Sequence, residues 1–355
     1  LLEAYYRHGL DALQYLHGGF ALAVQDAGKG DAVLLACDRH GIVPMFHAAS
    51  GGALAFGTRA DQVAAQPGVD AALHPQALYD YLYFHVVPGP ETIYAGVRRL
   101  QPGECLHWQS GKSRVEPYWV MEYQEAGLEG SSDEWRQQFL DLVGTAVQRR
   151  TSGGLKVGAF LSGGTDSSTV SGMLSQLRDE PARTYSIGFD EPGYDEMEYA
   201  RLVAKHFKTD HHEYYVTAED VVDAVPQVAE QFDQPFANAS AVPTYYCAQL
   251  AKEDGVERLL AGDGGDELFG GNYRYAKQLM FSWYERVPSS LHRVAVEPLL
   301  LRTPLGRLGP VRKLSSYIQQ AVLPMPERME SYNLLGRLRA ERGVNYAAME
   351  WNLID

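Results

Sequence analysis

Residues 157–169 constrain the fold more than any other stretch of this chain. An apolar run, Val157-Gly158-Ala159-Phe160-Leu161, stops abruptly at the polar turn Ser162-Gly163-Gly164. Asp166 follows, and Ser167-Ser168-Thr169 open a segment that continues at helical spacing through Val170 and Leu174. A buried strand, a tight turn and a helix start in that order belong to an α/β layer. The same order makes an anion site, because the free N–H groups and the dipole of a helix start point at the ligand. Gly163 and Gly164 let backbone approach a phosphate with no Cβ in the way. The hydroxyls of Ser162, Ser167 and Ser168 add donors. Asp166 would repel a bare phosphate, so it predicts a divalent cation bridging carboxylate and phosphate. The bland alternatives are a chance Gly–Ser turn and, for Asp166, a helix cap.

Two common phosphate loops are excluded. No Lys follows Gly164, as a Walker loop requires, and Ser167 stands where a dinucleotide fingerprint needs its third Gly. What remains resembles the loop of the ATP pyrophosphatase group, Ser-Gly-Gly-x-Asp-Ser, which holds the pyrophosphate that leaves when ATP adenylates a carboxylate. A second motif, Leu259-Leu260-Ala261-Gly262-Asp263-Gly264-Gly265-Asp266-Glu267, again joins an apolar run to a glycine turn. Three carboxylates so close together repel one another in a dry core, and they suit a Mg²⁺ or acid/base site at a strand end. An ordinary acidic surface loop is the alternative.

Together the two motifs resemble the asparagine synthetase B family of glutamine-dependent amidotransferases. Further stretches carry the likeness: His211-His212-Glu213, Asp233-Gln234-Pro235-Phe236 with Ala241-Val242-Pro243-Thr244-Tyr245, Leu16-His17-Gly18-Gly19-Phe20, Ala36-Cys37-Asp38-Arg39 through Pro44, and Val87-Pro88-Gly89-Pro90-Glu91-Thr92-Ile93. The likeness runs from about residue 10 to about residue 280 and weakens beyond.

The resemblance implies an α/β synthetase domain over 134–355. Its parallel sheet would be of the ATP pyrophosphatase, adenine nucleotide alpha hydrolase-like, type. It also implies a partial α+β glutaminase sandwich of the N-terminal-nucleophile kind over 1–122, with 123–133 as a polar linker. The implied cofactors are ATP and Mg²⁺. Leu161, Ser162, Gly163, Gly164, Asp166, Ser167, Ser168, Ile187 and Gly262 would hold the nucleotide, Leu161 and Ile187 at the adenine unless they are plain core. Asp166 and Asp266 would hold metal, and Asp263 would be the catalytic acid or base near the acyl-adenylate. The Asp195-Glu196 pair and Arg274 are weaker candidates for nucleotide, phosphate or acceptor contacts. The implied partners are glutamine or ammonia and a small carboxylic-acid acceptor such as aspartate, with a homodimer as a candidate assembly. Relatives with β-lactam synthetase or polysaccharide-amidating activity, and a non-catalytic nucleotide-binding module, are the rivals.

Composition narrows the partners. The chain has 355 residues, enough for two domains, and a net charge of −14, which argues against nucleic acid and against an anionic membrane surface. Its three cysteines, Cys37, Cys105 and Cys247, lie far apart, which fits a reducing cytoplasm and offers no zinc spacing. No run is apolar enough to span a bilayer. The chain starts at Leu1 on a helical pattern and ends mid-pattern at Asp355, without the family's N-terminal Cys or its Lys segment. The expectation is a fragment that releases no ammonia from glutamine by itself. Strands are expected at 32–36, 53–57, 105–108, 155–161, 184–189 and 257–261. Helices are expected at 76–85, 134–150, 167–178, 195–207 and in parts of 218–231 and 240–253. The region 276–355 reads as helical. Gln234 and Asn238 stand where acidic residues are usual in the family, which leaves the acceptor open.

Overall fold

A computed structural model of the chain describes residues 1–30, 32–122, 130–189, 197–271, 273–285, 298–299 and 309–323. The described residues divide into two compact units, the first containing those within 1–122 and 229–238 and the second those within 130–228 and 239–323.

The first unit holds two antiparallel sheets. One has the order β1 (Ala21–Asp26), β2 (Ala32–Cys37), β6 (Glu104–Gln109), β7 (Lys112–Pro117). The other has the order β4 (Ala53–Gly57), β3 (Phe46–Ser50), β5 (Arg98–Arg99). Strand β2 explains why residues 32–37 are continuously apolar rather than alternating. Leu35 and Cys37 pack with Met45, Leu100, Leu106 and Trp108 on one face. Leu34 and Ala36 pack with Leu13, Val24 and Cys105 on the other. A strand covered on both faces gains from apolar residues at every position. Burial pushes the Cys37 and Cys105 thiols up to about 11. Two hairpins close tightly: Gly51-Gly52 joins β3 to β4, and Ser110-Gly111 joins β6 to β7, all four residues with positive φ as a type I′ turn requires. Helices α1 (Leu2–His8), α2 (Ala60–Ala64) and α3 (Pro75–Phe84) complete this part.

Asp38, fully buried just after β2, fixes the following loop. Its carboxylate accepts N–H bonds from Phe20, His40, Ile42 and Val43 at 3.2, 3.0, 3.1 and 2.9 Å. Burial opposes its ionisation, yet the four donors outweigh burial and hold the carboxyl below its ordinary value.

The second unit alternates helix and strand: α4 (Ser132–Thr151), β8 (Val157–Phe160), α5 (Thr165–Gln176), β9 (Arg183–Phe189), α6 (Met197–Phe207), β10 (Asp210–Val216), α7 (Ala218–Gln231), α8 (Ala241–Glu253), β11 (Arg258–Leu260), α9 (Gly265–Phe269), α10 (Tyr273–Glu285) and α11 (Gly309–Ala321). The four strands are parallel, in the order β10-β9-β8-β11. One face carries Val157, Ala159 and Leu260 against Val147 of α4 and Leu174 of α5. The other carries Tyr185, with Phe160, Ile187 and Leu259 packed around it, against Cys247 and Ala251 of α8. Helix α4 begins at a capping box: Ser131 accepts the Glu134 N–H while Glu134 accepts the Ser131 N–H at 2.7 Å. Spacing alone predicts a packed face of Trp135, Phe139, Leu142, Val143, Ala146 and Val147. Leu142 and Ala146 face water, and Phe139, Leu140, Val143, Gly144 and Val147 turn inward.

The stretch between α7 and α8 belongs to the first unit. The Asp233 carboxylate accepts the Ala60 N–H at 2.6 Å at the start of α2. Gln234 Oε1 accepts the Ile93 N–H at 3.3 Å, Arg59 donates to the Gln231 carbonyl at 3.1 Å, and Ala237 N–H donates to the His85 carbonyl at 2.9 Å. Phe236 pairs with Val86 in an isolated antiparallel bridge. Among the described residues no helix is long and apolar enough to cross a membrane.

Candidate active site

The sheet order places a topological switch at β8. The chain moves from β8 through β9 to β10 on one side, and then returns to the other side to form β11. Ligands of open parallel sheets bind beyond the strand ends at such a switch. The loops that follow β8 and β11 are Ser162–Gly164 and Ala261–Gly264.

The loop after β8 is braced by Ser167. Its Oγ accepts the Ser162 N–H at 3.1 Å, lies 2.9 Å from Ser162 Oγ, and donates to the Gly164 carbonyl at 3.3 Å. Gly163 has φ +83°, and a Cβ there would lie 2.5–2.7 Å from backbone and Cβ atoms of Tyr199 and Ala200. Only glycine lets α6 pack on the loop. Gly164 caps α5, whose first N–H groups lack intrahelical acceptors and point out of the loop. Ser168 Oγ is buried and has no hydrogen-bond partner. An orphaned hydroxyl beside free helix N–H groups is the donor set an oxyanion would satisfy.

Asp166, half-buried in the first turn of α5, meets the second glycine turn. A Cβ on Gly262 would come within 2.8 Å of the Asp166 carbonyl carbon and the Ser167 nitrogen. A Cβ on Gly265 would lie 2.4 Å from the Asp166 carboxyl carbon. Gly262 is therefore required by the close approach of the two motifs, and Gly265 lies directly against the Asp166 carboxyl. Asp266, on α9, lies against Gly271, whose Cβ would fall 2.4 Å from Asp266 Oδ1. Asp263 is exposed on the loop after β11.

These carboxylates do not form a three-ligand group with one another among the described residues. Mg²⁺ takes one or two carboxylates together with phosphate oxygens and waters. The orphaned Ser168 hydroxyl and the Cβ-free cradle around Asp166 fit a Mg·triphosphate, with Asp166 and Asp266 as the side chains that would hold the metal.

Other expected positions have different surroundings. The Leu161 side chain is buried against Met197, Ala200 and Ala204, and its carbonyl accepts the Ser186 hydroxyl. Ile187 is half-buried beside Tyr185 and Cys247. His211 is nearly buried, with Nδ1 2.9 Å from Thr184 Oγ1, and burial lowers its pKa. His212 stacks on Tyr185 and its Nδ1 lies 3.0 Å from Asp254. Both histidines work inside the sheet. Asp195, Glu196 and the Arg274 side chain lie outside the described residues. Sequence reasoning missed Tyr199 and Ser186, which hold the loop and the strand end in place. The signal available for them was only their position on the neighbouring elements.

A parallel α/β sheet with a Ser-Gly-Gly-x-Asp-Ser loop at its switch point and a glycine turn closing on the loop's Asp defines a nucleotide-binding domain of the ATP pyrophosphatase type. Residues 138–348 match the Asparagine synthase model, and residues 1–119 match a Glutamine amidotransferase domain. The chain belongs to the asparagine synthase family. It is 28% identical over 331 residues to asparagine synthetase (glutamine-hydrolyzing) 1 of Bacillus subtilis, covering 92% of this chain and 50% of that one. It is 29% identical over 297 residues to a Methanocaldococcus jannaschii protein provisionally named asparagine synthetase (glutamine-hydrolyzing) 2, covering 83% of this chain and 57% of that one. The chain thus spans about half the length of the curated relatives it matches.

Proposed function

We propose that residues 138–348 act in ATP-dependent activation of a small carboxylic acid, aspartate first among candidates, and that the product is the amide. The acceptor carboxylate attacks the α-phosphorus of ATP, and pyrophosphate leaves from the cradle formed by Ser162–Ser168. Ammonia then displaces AMP from the acyl-adenylate. Residues 1–119 belong to the part that supplies ammonia from glutamine. The observation that carries this reading is the closure of Gly262 and Gly265 on Asp166 beside the unsatisfied Ser168 hydroxyl.

Within the site, the free N–H groups at the start of α5 and the Ser168 hydroxyl would stabilise charge that grows on the leaving pyrophosphate. Ser167 keeps those donors in place by bracing Ser162 and Gly164. Bound Mg²⁺ would neutralise phosphate charge and orient the leaving group. Asp263, exposed beside the cradle, would take a proton from attacking ammonia.

The test is pyrophosphate release by the full-length gene product with Mg·ATP and ammonium, with and without aspartate. Aspartate-dependent release that falls at least about a hundredfold in Asp166→Ala is expected. Release indifferent to aspartate would point to another acceptor, including those of the β-lactam and polysaccharide relatives. No release with any acceptor would sink the adenylation reading.

A further inference from the structure

Far from the phosphate loop in sequence, the β6–β7 hairpin of the first unit brings a thiol, an imidazole and a carboxylate together. Cys105 and His107 are two residues apart on β6, so their side chains share a face. Glu116 stands directly across from Cys105 on β7. Cys105 Sγ lies 3.8 Å from His107 Nε2, and His107 Nε2 lies 3.1 Å from Glu116 Oε1. One ligand atom from each of the three falls within 4.8 Å of the others.

Those spacings can be compared with a coordination shell. With Zn–S about 2.3 Å and Zn–N and Zn–O about 2.0–2.1 Å, tetrahedral angles place S and N about 3.5 Å apart and N and O about 3.3 Å apart. The observed separations differ from these by a few tenths of an ångström, within a rotamer adjustment. Arg114 holds the other carboxylate oxygen, Oε2, at 2.5 Å and leaves Oε1 turned toward the histidine. A partner that orients a ligating carboxylate in this way is the usual surrounding of a metal site. Access is also present. His107 is part of the lining of a cavity of about 680 Å³, with Tyr5, Leu10, Val33 and Gln109 among its other walls. Solvent in that cavity reaches the imidazole.

We propose that Cys105, His107 and Glu116 form a binding site for a borderline-soft divalent transition metal, zinc in class, with three protein ligands and one exchangeable position. A thiolate donor disfavours Mg²⁺ and Ca²⁺, which take oxygen ligands. The site is separate in residues and in chemistry from the Asp166 and Asp266 carboxylates, and it stands or falls independently of the adenylation reading.

Cobalt(II) is the probe, because a thiolate bound to it gives a near-ultraviolet charge-transfer band and tetrahedral geometry gives intense visible bands. The full-length protein, stripped with chelator, is titrated with Co²⁺ and then with Zn²⁺. Saturable growth of both bands at one equivalent, their loss on Zn²⁺ addition and a rise in Tm with either metal are expected. His107→Ala removes a partly exposed side chain and keeps the buried thiol, so it should fold, and it should weaken binding at least about a hundredfold. Cys105→Ser should lose the charge-transfer band. Absence of a charge-transfer band in folded wild type would overturn the proposal, as would binding that is unchanged in His107→Ala.

Discussion

Gly262 and Asp38 show how single residues set the geometry here. At Gly262 a methyl group would meet backbone, the Asp166 carbonyl carbon and the Ser167 nitrogen, rather than a movable side-chain end. Gly262→Ala should therefore cost about 1–3 kcal/mol in urea unfolding and should also weaken ATP binding, since the loop after β8 must shift. At Asp38 the four N–H bonds stabilise the ionised carboxyl, so its folded pKa lies below the unfolded one. That stabilisation is complete above the unfolded value, about pH 4, and is lost as pH falls through the folded value. Asp38→Asn should cost about 2–3 kcal/mol at neutral pH and should flatten the decline in stability below about pH 4, as read by denaturant midpoints across pH. Glycine doublets and an Asp after a strand could be seen in the sequence. That Gly163 answers to Tyr199 on α6 could not, because that approach is tertiary.

Among the elements, α4 shows how much a local signal can carry. Ser131 and Glu134 at capping-box spacing begin the helix where residues 134–150 were expected to be helical. Ser131→Ala should lower stability by about 1 kcal/mol with no change in the packed face, measurable by denaturation followed by circular dichroism. The choice of face was less legible. Leu142 fits an apolar stripe by spacing, yet it is 70% exposed, while Leu140 and Gly144 are half-buried. The strands β8 and β11 were readable because a sheet covered on both faces selects apolar runs, whereas β9 mixes Thr184 and Ser186 with Tyr185, Ile187 and Phe189. Strand β7, Lys-Ser-Arg-Val-Glu-Pro, lies at a sheet edge with most residues in water, and its sequence carries no such signature. The short Arg98–Arg99 strand is likewise defined by its pairing with Phe46 and His47 rather than by its own residues.

For the whole molecule, the two glycine motifs and the order of strands and helices were enough to predict a nucleotide-binding parallel sheet. The exchange of residues 229–238 into the first unit was not, since contacts between stretches so distant in sequence leave no periodic trace. That strap rests on a charge-assisted bond from the Ala60 N–H to Asp233. Asp233→Ala should raise native-state hydrogen exchange at Ala60 by about 10–100-fold, corresponding to the loss of about 1.5–3 kcal/mol. Unchanged exchange there would show the bond to be incidental. The two family matches divide the chain as though it were cut once, near residue 130. The strap makes the real division discontinuous, since the chain leaves the second unit after Val228 and re-enters it at Ala239. The halves are therefore poor modules for recombination. A cut near residue 130 would part residues 229–238 from the Ala60 and Ile93 N–H groups that Asp233 and Gln234 accept.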